Sequence, residues 1–74
     1  MTLAELPVGS RARILTIGGE DEAVERMMEM GLIEGTEFSL VRFAPLGDPL
    51  EIKTRGYHLT LRKAEAAQIE VEAL

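Results

Sequence analysis

Seventy-four residues suffice for one small domain whose core supplies only a few kcal/mol of net stability, so there is no room for a catalytic domain beside a regulatory one. Hydrophobic residues at 46% and charged residues at 28% give a globular balance, and an aromatic content of 4% makes the expected core aliphatic. The absence of cysteine excludes a disulfide framework, a thiolate metal site and a cysteine nucleophile, while a net charge of -5 argues against a general nucleic-acid binder, whose affinity rests on Lys and Arg neutralising phosphates.

No apolar run approaches the ~20 residues that span a bilayer, and the amino end lacks a basic stretch followed by an apolar one. A soluble cytoplasmic protein is therefore expected, as the lack of cysteine also implies. Leu3 and Leu6, three apart and followed by Pro7 and Gly9, predict one short turn that tucks both leucines inward. Residues 10–17 read as a strand, with Ala12 and Ile14 on one face and Arg11 and Arg13 on the other. The alternation loosens at Leu15 and Ile17, which predicts a strand end covered on both sides. Gly18 and Gly19 end it.

A helix follows. Asp21 is the expected N-cap, with Glu20 and Glu22 at the positive end of the helix dipole and Glu22 spaced to pair with Arg26 one turn on. Val24, Met27, Met28 and Gly31 recur at helical spacing, so Met27 is expected in the core and part of the Met28, Met30, Leu32, Ile33 set at the surface. At Gly31 the period changes. A helix that stops in a Schellman turn needs a left-handed residue there, which glycine supplies, and Leu32 then folds back onto Met27. Gly35 permits a second turn before the next strand begins at Thr36.

Residues 36–43 read as that strand, with Phe38 and Leu40 inward. Two prolines and a Gly-Asp pair make 44–49 a loop, and the strand resumes at Leu50 with Ile52 and Thr54 on its inner face. Gly56 is the turn residue of a tight hairpin, after which Tyr57, Leu59 and Leu61 are expected inward and His58, Thr60 and Arg62 outward. Residues 63–67 make a single helical turn, and residues 68–72 a last strand with Ile69 and Val71 inward. Five short strands and one helix inserted between strands 1 and 2 fit a mainly β, partly open five-stranded SH3-like barrel, one domain over residues 1–74.

The inventory is poor in catalytic chemistry. His58 is the only histidine and is predicted to face solvent; neither Ser10 nor Ser39 has a histidine partner in the pattern, so no enzyme activity and no cofactor are expected. The acids at 20, 21 and 22 point apart around a helix start and read as a solvated cap, not a metal site. What remains is a contact surface: Met28, Met30, Leu32 and Ile33 at the corner, lined on the other side by Pro45 and Leu46 and rimmed by Glu29, Glu34 and Glu37. Charge is divided along the chain. From 20 to 37 seven acids face the single base Arg26, whereas Arg42, Lys53, Arg55, Arg62 and Lys63 outnumber Asp48 and Glu51 from 38 to 63.

Five stretches in order carry a resemblance: Leu3-Ala4-Glu5-Leu6-Pro7-Val8-Gly9, Met30-Gly31-Leu32-Ile33-Glu34-Gly35-Thr36, Pro45-Leu46-Gly47-Asp48-Pro49, Arg55-Gly56-Tyr57, and Leu59-Thr60-Leu61-Arg62-Lys63-Ala64-Glu65-Ala66. Together they make the chain similar to the FeoA family, the small SH3-like accessory proteins of bacterial ferrous-iron uptake. The resemblance implies a cytoplasmic, non-enzymatic partner of the FeoB-type transporter, acting on its membrane portion or its cytoplasmic GTPase domain, by assisting assembly or modulating GTP hydrolysis. The family offers no catalytic residues to carry over. The same barrel also resembles the C-terminal domain of iron-dependent repressors of the DtxR type, where a DNA-binding domain precedes it; the free-standing accessory form is expected here. Two other classes stay open: a nucleic-acid-binding barrel using the basic excess with Phe43 and Tyr57 as stacking platforms, and a weak ferrous-iron carrier using carboxylates with His58. The apolar patch also allows weak self-association into a homodimer.

Overall fold

Where the apolar side of each strand goes decides the fold, and here every strand contributes to one aliphatic core. The structure is a computed structural model describing residues 1–19 and 21–74, with the Asp21 side chain outside that set. Strands β1 (Arg11–Ile17), β2 (Glu37–Phe43), β3 (Leu50–Thr54), β4 (Tyr57–Leu61) and β5 (Ile69–Ala73) form one antiparallel sheet in the order β4-β3-β2-β1-β5. Helix α1 (Asp21–Glu29) lies between β1 and β2 in the chain, and the short α2 (Lys63–Ala66) between β4 and β5. Period-two alternation sends Ala12, Ile14, Phe38, Leu40, Leu50, Ile52, Leu61, Ile69 and Val71 to the inner face, where Leu3, Leu6, Met27, Leu32 and Ala66 complete the core. The sheet curls as a five-stranded SH3-like barrel left open between its edges. At the β5 edge the chain covers itself: Val71 N–H donates to the Met1 carbonyl, and Thr2 bridges Glu70.

The hairpin between β3 and β4 places both central residues in the left-handed region, Arg55 at φ 51° and Gly56 at 85°, the signature of a type I′ turn. Two inward expectations fail. Leu15 is exposed because it follows the buried Ile14 and alternation alone sends it to the solvent face; the slip of the β1–β5 register between Ile14 and Thr16 then leaves Thr16 exposed beside it. Tyr57 is 40% exposed at the strand end, where its hydroxyl donates to the Met30 carbonyl at 2.9 Å, satisfying a polar group that the aliphatic core has no partner for. The capping expected of Asp21 and Glu20 lies outside the described residues. Arg26 does not pair with Glu22 as expected. It reaches across to α2, where Glu65 accepts from its Nε at 3.0 Å and from its Nη2 as well.

Candidate functional site

The corner between α1 and β2 is built from backbone bonds that its glycines permit. Gly31 sits at φ 88°; its N–H donates to Met28 O and that of Leu32 to Met27 O, both at 2.9 Å, the paired bonds of a Schellman motif. Four residues on, Gly35 at φ 88° occupies the third position of a turn closed by Thr36 N–H to Ile33 O at 3.1 Å. The buried Thr36 locks that turn from inside, its hydroxyl oxygen accepting from the Ile33 N–H at 3.2 Å. Two bonds then moor the corner to β1, Gly35 N–H to Ile14 O and Ile14 N–H to Thr36 O. Ile33 is thereby held outward on a rigid turn.

Beside it lies an apolar groove of about 350 Å³ lined by Ile17, Val24, Met28, Ile33 and Glu34. Met28 is 55% and Ile33 44% exposed, high for aliphatic side chains standing next to one another. The end of β1 supplies Ile17, and α1 supplies Val24 and Met28 one turn apart. Neither Ile17 nor Val24 was among the expected contact residues. The signal for Val24 was present, since it stands one turn before Met28 and is rotated with it away from the buried Met27.

Three expectations about this surface need correction. Leu32 is fully buried, because the Schellman bond drives it onto Met27, so it belongs to the core and not to a contact surface. Met30 is half-buried and packs against the core. Pro45 and Leu46 are exposed, Leu46 to 97%, yet they stand beyond the other end of β2, whose seven residues span roughly 20 Å of a molecule 28 Å long. They cannot line the same groove.

On the outer face of the sheet, away from the groove, polar side chains form pairs. His58 faces solvent on β4 and its Nδ1 meets Glu51 Oε2 at 2.5 Å, while Arg42 Nε donates to Glu51 Oε1 at 2.9 Å. These two partners, His58 first, hold the Glu51 carboxyl below its ordinary value. Among the described residues no three His, Asp or Glu side chains converge to hold a metal ion. The groove presents thioether and aliphatic surface with one carboxylate at its edge. Such a lining suits apolar side chains.

Comparison with known proteins bears on the family and the fold. Residues 1–73 match the FeoA domain. The whole chain is 38% identical to part of a Fe(2+) transport protein A/Fe(2+) transporter FeoB fusion protein of Porphyromonas gingivalis, spanning 9% of that protein's length. Among solved structures, FeoA of Chlorobium tepidum is 42% identical and superposes with a TM-score of 0.94 over all of this chain and 70% of that one. FeoA of Stenotrophomonas maltophilia complexed with zinc, described as a procaryotic SH3 domain protein, is 30% identical with a TM-score of 0.81, covering 97% of this chain and 89% of that one. No helix of the described residues is long and apolar enough to cross a membrane. With the domain match running over nearly its full length and the same barrel in its solved relatives, the chain belongs to the FeoA family.

Proposed function

We propose that this protein is a non-enzymatic, cytoplasmic accessory of ferrous-iron uptake that docks on a FeoB-type transporter through the groove of Ile17, Val24, Met28 and Ile33. The observation that carries the reading is the Porphyromonas gingivalis relative, in which an FeoA-like segment and the FeoB transporter share one polypeptide. Covalent linkage raises the effective concentration of one module at the other, an arrangement that suits parts working in contact. The exposed pair Met28 and Ile33 supplies the apolar centre such a contact requires.

The test is local. Ile33→Glu places a charge at the centre of the groove without touching the core, so the domain should keep its circular dichroism and unfolding midpoint while ferrous-iron uptake in a complemented deletion strain falls to the level of the empty vector. Normal uptake by a folded Ile33→Glu protein would remove the groove from the mechanism.

A further inference from the structure

The charges around the groove carry the reading further, to the chemistry of what sits in it. Helix α1 advances about 100° per residue, so Val24 and Met28 lie within about 40° of each other and Glu25 and Glu29 follow on the solvent side. Glu34 closes the opposite edge from the corner. Arg26, the only base of α1, stands about 160° round the helix from Met28 and is engaged by Glu65. None of the eight Lys and Arg residues lines the groove. Among the described residues Glu25, Glu29 and Glu34 enter no ion pair, whereas Glu37, Glu51, Glu65 and Glu72 all do. The acids of the sheet, and Glu65 of α2, are neutralised within the molecule, and the three around the apolar opening are left for something else.

We infer that the segment seated in this groove carries aliphatic anchors flanked by Lys or Arg. The inference rests on the docking reading above and specifies its partner: a neutral or acidic segment would bury the same apolar area but bring like or uncompensated charge against Glu25, Glu29 and Glu34. Complementary rims act mainly on encounter rate and specificity and are screened by salt.

The experiment titrates the full labelled chain with the FeoB-type transporter of the same cell, both its soluble GTPase domain and the complete protein in detergent, at about 50 mM and about 300 mM NaCl. The comparison variant is the triple change Glu25→Gln, Glu29→Gln, Glu34→Gln, whose sites are exposed and lie outside the core. The expected result is an affinity that drops about tenfold from low to high salt for the unmodified chain, and a triple variant about tenfold weaker at low salt with little salt dependence left. If the triple variant binds like the unmodified chain at both salts while Ile33→Ala weakens binding, the basic-flanked partner is wrong and the groove reading stands. If the unmodified chain binds neither form of the transporter, the docking reading itself falls and this inference with it.

Discussion

Leu32 and Ile33 are joined by one peptide bond, and the first is sealed in the core while the second stands 44% exposed. Their substitutions should therefore diverge. Leu32→Ala empties a packed position and should cost about 2–5 kcal/mol, comparable to the whole stability of a domain this size, so the cooperative melting transition should be lost. Ile33→Ala should stay within about 0.5 kcal/mol and shift the midpoint by a few degrees at most. Differential scanning calorimetry of the two proteins checks both. The Schellman turn readable at Gly31 already puts Leu32 on Met27; what the sequence does not show is how far the next residue turns out, which the Thr36 hydroxyl and the mooring to Ile14 determine. A second residue-level prediction concerns Gly31, where an added Cβ would come within 2.7 Å of the Tyr57 hydroxyl besides meeting the strain of φ 88°. Gly31→Ala should cost about 1–2 kcal/mol from the backbone alone, and more because Tyr57 must swing off Met30. In a Tyr57→Phe background that extra cost should vanish. Equal costs of Gly31→Ala in both backgrounds, in a double-mutant cycle of denaturant unfolding, would show that the hydroxyl contact is unimportant.

Between elements, α1 is fastened to α2 by Arg26 and Glu65, with Glu65 also accepting from the Arg62 N–H at 3.0 Å. Arg26 above all, and Arg62 with it, hold the Glu65 carboxyl below its ordinary value of 4.5. A carboxyl depressed in the folded state contributes stability that is fully present above its unfolded value and disappears as pH falls through the folded one. The stability difference between the unmodified chain and Glu65→Gln should thus be level near neutrality, about 1 kcal/mol, and shrink on acidification below about pH 4.5. A difference that grows with acid would contradict the assignment. The elements themselves were largely legible, since alternation marks the strands and the Val24, Met27, Met28 spacing marks α1. Partners far apart in the chain were not: nothing local distinguishes Glu22 from Glu65 as the mate of Arg26, or shows the bulge against β5 after Ile14 that leaves Thr16 exposed together with Leu15. The same limit applies to Pro45 and Leu46, correctly read as an exposed loop but assigned to the wrong end of β2.

For the whole molecule, the number and order of strands and the turn before β5 were enough to reach the SH3-like barrel, because so short a chain has few ways to bury five amphipathic strands. The groove was half legible. Met28 and Ile33 follow from the sequence, while Ile17 and Val24 join them only once β1 and α1 are placed side by side. The same arrangement bears on iron: with no three ligating side chains converging among the described residues, anaerobic calorimetry with ferrous iron should give no saturable heat, and a stoichiometric isotherm would revive the carrier reading. The most direct test of the central claim is an amide chemical-shift titration of the labelled domain with the soluble GTPase domain of the transporter, with and without nucleotide. Docking through the groove predicts shifts centred on Ile17, Val24 and residues 28–36, absent for Ile33→Glu. Shifts centred instead on the outer face of the sheet, around Arg42, Lys53 and His58, would contradict it.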